Sequence, residues 1–429
     1  MLRQSHTRSI VSFFSGSLAA TALSMVATLM MMRWTPPEKF GLWNFALLAG
    51  TYISVFQLGV FNGLNRQLPY YEGQKRLEVA AQMADAAHAW CLALLTLSVA
   101  ITAVLALLFL VLNQPTDYIF TLFAIGAVVS CSWFLQFFTV LYSGASQFGA
   151  LARKNVVTAA IGLPLVFLSY LLGYAGLLIR AAVMALLNIA LLGRQRPFAS
   201  KARWDIMSLK ELSRIGFPIW GLGQLGALFM TLDRVVLAGS VVNLGLYSIA
   251  AQFAALAAMV PTSFNAVYYP QMARDYGSHH RALPLWRQAA RVGIKSAMCG
   301  GVFAAGCWIA IPTFVQIVLP AYSPGIEAAQ WAAIIGVVMA PSIFGNIFNL
   351  LGQQGVYLIS SATGLSAFFL SWWVFRELMA NPPLVSAAQS MLIGTLVSSL
   401  VSAVLAFAVC KRHDDKRDAS GLASHGISE

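Results

Sequence analysis

Charge is what this chain has least of. Asp, Glu, Lys and Arg make up 10% of its 429 residues and hydrophobic types 59%, whereas a soluble domain carries roughly 25% charged residues. A water-facing surface cannot be built from that stock, so an ordinary soluble enzyme is excluded. Nucleotide-binding glycine loops are missing as well, which excludes ATP hydrolysis by this chain. The five cysteines, Cys91, Cys131, Cys299, Cys307 and Cys410, show no C-x-x-C or metal spacing. They read as small packing residues inside apolar segments. The six histidines show no metal-ligand spacing, and His279 and His280 read as loop residues. No metal, cofactor or catalytic centre is therefore expected, and the chain is not read as an enzyme. Long polar segments are absent too. The connections reach on the order of 20 residues, too short for the separate catalytic domain of a membrane glycosyltransferase or polymerase.

What is present is a series of apolar runs, each close to the roughly 20 residues that cross a hydrocarbon core of about 30 Å. Spans are predicted at Ile10 to Met32, Phe40 to Leu64, Asp85 to Leu112, Tyr118 to Leu141, Val156 to Leu172 and Tyr174 to Leu192. A second set follows at Ile215 to Ala238, Val241 to Tyr268, Val292 to Leu319, Ala328 to Leu350, Val356 to Phe375 and Val385 to Cys410. The fold class is an all-α polytopic membrane protein with about twelve transmembrane helices. The first run exceeds the h-region of a signal peptide, roughly 7 to 15 residues, so it reads as an uncleaved span.

The chain is strongly basic, with a net charge of +12, and the placement of those charges speaks for orientation rather than for nucleic acid. With the N-terminus in the cytoplasm, Arg33, Lys39 and Arg376 lie outside and Arg180 and Arg234 lie within spans. All the others among the 27 Lys and Arg residues lie on the cytoplasmic side. That is the asymmetry of the positive-inside rule, and it puts both termini inside.

The basic stretch from Arg194 to Lys210 divides the spans six and six. It reads as a cytoplasmic linker (194–210) between an N-terminal lobe (1–193) and a C-terminal lobe (211–410), followed by a charged cytoplasmic tail (411–429) expected to be disordered. Phe40-Gly41-Leu42-Trp43 and Leu244-Gly245-Leu246-Tyr247 open the second span of their respective halves, and the same offset aligns Gln67 with Gln271 and Gly73 with Gly277. An even number of spans per half makes the lobes parallel repeats, an arrangement that commonly puts a substrate cavity between them. A transporter is the leading class.

Around the seventh and eighth spans the sequence reads Ile215-Gly216-Phe217-Pro218, Asp233-Arg234-Val235-Val236, Leu244-Gly245-Leu246-Tyr247-Ser248-Ile249-Ala250, Pro261 and Tyr269-Pro270. With Phe40-Gly41-Leu42-Trp43 and Arg66 in the first half, this resembles the polysaccharide-type exporters of the multidrug/oligosaccharidyl-lipid/polysaccharide superfamily. The resemblance implies a V-shaped pair of six-helix lobes that flips undecaprenyl-pyrophosphate-linked oligosaccharide across the bacterial cytoplasmic membrane by alternating access. It also implies membrane lipids, a glycan polymerase and other surface-polysaccharide pathway proteins as partners, and no nucleic acid. The chain lacks two extra spans associated with lipid II flippases. A cation-coupled multidrug exporter of the same superfamily is the rival, and it should present acids and aromatics to its cargo rather than arginines.

Anionic cargo calls for cations along a polar path. Arg180 and Arg234, the basic residues inside spans, are candidates to face a cavity, against snorkelling to the outer interface or, for Arg234, pairing with Asp233. Arg287, Arg291 and Lys295 share one helical ridge that suits either pyrophosphate or lipid headgroups. Lys295 is the deepest of the three. Arg66 follows Asn62 and Asn65 at the cytoplasmic mouth, where the resemblance implies an entry site and the charge alone implies only topology. Gly59 and Gly63 read as helix-packing positions. Ser17, Thr21, Ser24 and Thr28 form a polar stripe on the first span, suited to a sugar path or to helix contacts. Gln224, Gln252, Asn265, Asn346 and Asn349 extend the amide set. Pro164, Pro218, Pro261, Pro312 and Pro341 interrupt spans and free backbone carbonyls. Asp233 is the acid best placed for ion coupling, and an ion pair with Arg234 would hold it ionised.

Overall fold

A computed structural model describes residues 21–145, 147–194, 196–198 and 200–419. It is built of α-helices with short 3-10 breaks, and it divides into two compact units, Met1–Leu225 and Gly226–Glu429.

The first unit contains α1 (21–34), α2 (Pro37–Ile53), α3 (Val60–Gly73), α4 (Leu77–Val111), α5 (Thr116–Gly144), α6 (Phe148–Gly162), α7 (Phe167–Leu172), α8 (Tyr174–Gly193) and most of α9 (Ile206–Phe229). The second contains the end of α9, then α10 (Leu232–Leu237), α11 (Val241–Leu246), α12 (Ser248–His279), α13 (Leu283–Val318), α14 (Ile326–Ala333), α15 (Ile335–Val338), α16 (Gly345–Leu350), α17 (Gln354–Trp373) and α18 (Pro383–Ala419). Among the described residues nine helices are long and apolar enough to cross a membrane, and the bent pair α2 and α3 makes a tenth. The described part of the first predicted span falls on α1, residues 10–20 lying outside the described residues, and the seventh falls on α9 with α10. The protein is an all-α, multi-pass membrane protein.

Three predicted boundaries need correction. The second span is not one helix but bends by 55° where Leu58 and Gly59 adopt left-handed backbone, φ 50° and 77°. A Cβ on Gly59 would also sit 2.5 Å from the Gly216 carbonyl carbon, so glycine suits both the turn and the contact there. Second, several helices run past the bilayer. At 1.5 Å per residue the 36 residues of α13 span about 54 Å, well beyond the hydrocarbon core. Third, the tail is helical as far as Ala419. It is held by the Asp414 carboxylate, which accepts bonds from the backbone N–H groups of Ala282 and Leu283 at 2.8 and 2.9 Å and so caps α13. Tyr276 and His413 are hydrogen-bonded beside it, 3.0 Å apart.

The linker is likewise anchored. Asp85 of α4 accepts a bond from the Lys201 N–H at 2.7 Å, and α9 begins inside the linker at Ile206. Asp205 precedes it, taking bonds from the Met207 N–H and the Ser208 hydroxyl at 3.0 and 2.6 Å. The Ser208 bond, followed by backbone N–H groups, draws the Asp205 carboxyl below its ordinary value. The first turns of α9 pack on α3 backbone to backbone. A Cβ on Gly216 would lie 1.9 Å from the Gly59 carbonyl oxygen, and one on Gly63 would lie 2.1 Å from that of Leu212. This close approach carries the first compact unit through to Leu225. It also gives Gly59 and Gly63 the packing role their spacing suggests.

Each unit has its own aromatic core. Trp133, Phe137 and Tyr142 of α5 are fully buried, with the Tyr142 hydroxyl donating to the Leu192 carbonyl at 3.0 Å. In the second unit Phe348, Ile347, Ala289 and Cys410 centre one cluster and Phe368, Ala257 and Phe229 another. The repeated openings, Phe40-Gly41-Leu42-Trp43 and Leu244-Gly245 with Tyr247, are buried in both units. Cys91, Cys131 and Cys410 are buried as packing residues, whereas Cys299 is exposed.

Candidate functional site

Proline begins the site. Pro164 cannot continue α6, and the chain tightens into a 3-10 turn in which the Val166 N–H bonds to the Leu163 carbonyl instead of reaching back to Gly162. The Gly162 carbonyl is thereby released, and it accepts a bond from Arg180 Nε at 3.1 Å. A Cβ at Gly162 would meet the terminal methyl of Met184 at 2.9 Å and the Arg180 guanidinium at 3.4 Å, so both side chains lie directly against this glycine. A terminal nitrogen of Arg180 also lies 3.5 Å from the Met31 sulfur of α1. The guanidinium is thus tethered at one edge.

Around it lies a polar cavity of about 370 Å³, lined by Thr21 and Ser24 of α1, Asn155 and Thr158 of α6, and Arg180, Met184 and Asn188 of α8. No acid occurs among these lining residues. Arg180, Met184 and Asn188 are spaced by four and so share one helical face. Within that set the Thr158 hydroxyl donates to the Lys154 carbonyl at 2.8 Å and the Asn188 amide to that of Met184 at 2.7 Å. Donors and acceptors held this way suit hydroxyl-rich cargo, and the fork of Arg180 suits a phosphate or carboxylate.

Half of the predicted stripe on α1 reaches this cavity, through Thr21 and Ser24. Thr28 turns its hydroxyl to the Ser24 carbonyl at 2.9 Å, and Ser17 lies outside the described residues. Asn155, Thr158 and Asn188 escaped the sequence reading, although Asn188 stands two turns from Arg180 on the same face and was visible by spacing alone.

Asn62 and Asn65 line a separate cavity of about 350 Å³ in the same unit, with Gln57 of the bend and Gln136 and Thr139 of α5. Arg66 is exposed and is not among the residues lining it. Arg287, Arg291 and Lys295 are exposed on α13, on one face with the exposed apolar residues Ile294, Met298 and Val302.

In the second unit Asp233 is 6% exposed. The Tyr247 hydroxyl donates to one of its oxygens at 3.0 Å and the Arg234 N–H to the other at 2.8 Å, with Arg234 Nε at 3.6 Å. Asp233, Arg234 and Tyr247 border a cavity of about 200 Å³ otherwise lined by alanine, methionine, leucine and isoleucine. The pairing of Asp233 with Arg234 is therefore present, and Tyr247 joins it. Asn265 is bonded to the Ser342 hydroxyl at 3.1 Å.

No family model and no curated protein sequence matches the chain. Solved structures do match in fold. An inward-facing multidrug resistance MATE family transporter of the MOP superfamily aligns with 95% of this chain and 99% of its own, at a TM-score of 0.71 and 13% identity. A MOP superfamily transporter from Pyrococcus furiosus, described as having a binding pocket of reverse polarity that suggests a different function, aligns over 95% and 97% at a TM-score of 0.67 and 14% identity. A point mutant of the Vibrio cholerae MATE transporter VcmN aligns over 95% and 98% at a TM-score of 0.62 and 15% identity. At these identities the likeness is one of fold, and it extends over both units.

Proposed function

We propose that this protein is an alternating-access transporter whose cargo is anionic and rich in hydroxyl groups, with polyprenyl-pyrophosphate-linked oligosaccharide as its substrate class. The observation that carries this reading is the Arg180 cavity, a tethered guanidinium among hydroxyls and amides with no acidic lining residue. A guanidinium binds phosphate oxygens in a fork, and Asn, Ser and Thr side chains exchange hydrogen bonds with sugar hydroxyls as readily as with water. Asn62 and Asn65 offer a second polar station. Arg66, Arg291 and Lys295, all exposed, serve in this scheme to attract the pyrophosphate at the basic face. The basic face is the cytoplasmic one by the positive-inside rule, so the direction of flipping is outward from the cytoplasmic leaflet of the bacterial inner membrane.

A second reading, a cation-coupled multidrug exporter, is favoured by the multidrug transporter named among the structural neighbours and by the buried Asp233 with Tyr247. Against it stands the polarity of the Arg180 cavity, which repels a cationic drug. The two readings separate in the native host. On depletion of the protein, lipid-linked oligosaccharides are extracted and their leaflet is assayed in membrane vesicles. Accumulation of a completed unit in the cytoplasmic leaflet supports the flippase. Normal intermediates together with new sensitivity to cationic drugs would sink it in favour of the exporter.

A further inference from the structure

The face of α8 opposite the Arg180 cavity borders a second hollow. Arg180, Met184 and Asn188 lie on one side of the helix, and Leu186, Ile189 and Gly193 lie roughly half a turn away around it. These last residues, with Leu95 of α4 and Phe134 and Phe138 of α5, line an open apolar groove of about 520 Å³. Its polar floor is already satisfied, since Ser130 is hydrogen-bonded to Ser98 at 2.9 Å. Leu186 is 59% exposed, so the groove opens outward, away from the polar cavity.

Two arginines stand at its basic end. Arg194 and Arg196 line the groove and are exposed, and no acid occurs among its lining residues. Arg196 is fixed in place, with Nε donating to the Gly193 carbonyl at 3.2 Å and the guanidinium carbon 5.5 Å above the Phe138 ring. That arrangement leaves its two terminal amino groups without a protein partner among the described residues. An apolar trough that ends in two uncompensated cations matches a molecule with one long hydrocarbon chain beneath a phosphate.

We propose that this groove binds an anionic phospholipid, with one acyl chain along Phe134, Leu186 and Ile189 and the phosphate on Arg194 and Arg196. The inference is independent of the cargo carried through the polar cavity. It assigns a lipid to the outer side of the first unit. A lipid seated there would tie the end of α8 and the start of the linker to the membrane surface.

The test uses the full-length protein in phosphatidylcholine vesicles containing phosphatidylglycerol with a photoactivatable acyl chain, with adducts located by mass spectrometry. Adducts are expected on Phe134, Leu186 and Ile189, competed by unlabelled phosphatidylglycerol and not by added phosphatidylcholine. Replacing Arg194 or Arg196 by Gln should weaken labelling about fivefold each. Arg196→Lys should retain part of it, and Arg153→Gln, on the exposed basic side of α6, should leave it unchanged. Ala190→Trp, which fills the groove without touching the arginines, should abolish it, and thermal unfolding confirms that each variant is folded. Equal competition by the two lipids in the wild-type protein would overturn the proposal whatever the variants do. So would unchanged labelling in folded Arg194→Gln/Arg196→Gln, or stronger competition by a polyprenyl phosphate, which would give the groove to the carrier lipid instead.

Discussion

Arg180 combines a tether with a place in a polar cavity, since its Nε is committed to the Gly162 carbonyl and the side chain lines the hollow between α1, α6 and α8. Arg180→Gln removes charge and fork together. The expected result is a ten- to hundredfold fall in transport with normal membrane accumulation, the range of a lost charged hydrogen bond of ~1.5–3 kcal/mol. Arg180→Lys should recover little, because an ammonium cannot hold the carbonyl and a phosphate in one plane. Uptake into vesicles or complementation of the host measures both. Asp233 presents a different chemistry. Asp233→Ala leaves the buried Tyr247 hydroxyl without its acceptor and should cost ~1–3 kcal/mol in thermal or denaturant unfolding. Asp233→Asn keeps an acceptor oxygen and should cost less. If Asp233 is the coupling carboxylate, Asp233→Asn abolishes the dependence of transport on a proton or Na⁺ gradient. A dependence retained in that variant assigns coupling elsewhere.

Among the elements, the break between α6 and α7 and the contact of α3 with α9 make opposite demands on the backbone. At the break, the 3-10 turn that begins at Pro164 sends the Val166 N–H to the Leu163 carbonyl and leaves the Gly162 carbonyl to Arg180. Pro164→Ala lets the Val166 N–H recapture that oxygen, so the helix should gain stability while Arg180 loses its tether and transport falls. A variant with unchanged transport would show that the tether is dispensable. At the α3–α9 contact, Gly216→Ala drives a methyl group to within 1.9 Å of the Gly59 carbonyl oxygen, and overpacking of this kind costs ~1–3 kcal/mol. Gly221→Ala, with nothing within 4 Å of the added carbon, is the control and should be neutral or slightly stabilising. The start of α9 also responds to pH. The Asp205 carboxyl is held below its ordinary value by the Ser208 hydroxyl. Its capping contribution is therefore present above the unfolded-state pKa of about 3.9 and is lost as pH falls through the lower folded value. Hydrogen exchange of the first turn of α9 should accelerate only in that acid window, and in Asp205→Ala it should be fast throughout.

For the whole molecule, the distribution of Lys and Arg makes a claim that labelling can check. Single cysteines introduced at Lys75 and Arg281 in a background free of the five native ones should react with a membrane-impermeant maleimide only after permeabilisation. A cysteine at Arg376 should react in intact cells. The reverse pattern would invert the orientation and with it the proposed direction of transport. The two compact units meet within the sequence of α9, at Leu225 and Gly226, rather than in the basic linker, because Asp85 and the glycine contacts fasten the linker and the first turns of α9 to the first unit.

The sequence by itself determined the class and the order of the apolar spans, and the packing role of Gly59 and Gly63. These features are one-dimensional. A bilayer demands a fixed length of apolar helix whatever its neighbours are, and a proline or a run of small residues acts on its own backbone. Only the tertiary structure decided which polar groups share a cavity. Arg180, Thr21, Asn155 and Asn188 come from three helices, and the rotation of each about its axis is set by packing against the others. The same holds for the bond from Tyr247 to Asp233, for the groove behind α8, and for the Asp414 cap that orders the tail. Hydropathy does not separate an apolar residue that faces lipid from one that faces a neighbouring helix. The faces therefore stayed hidden until the helices were assembled.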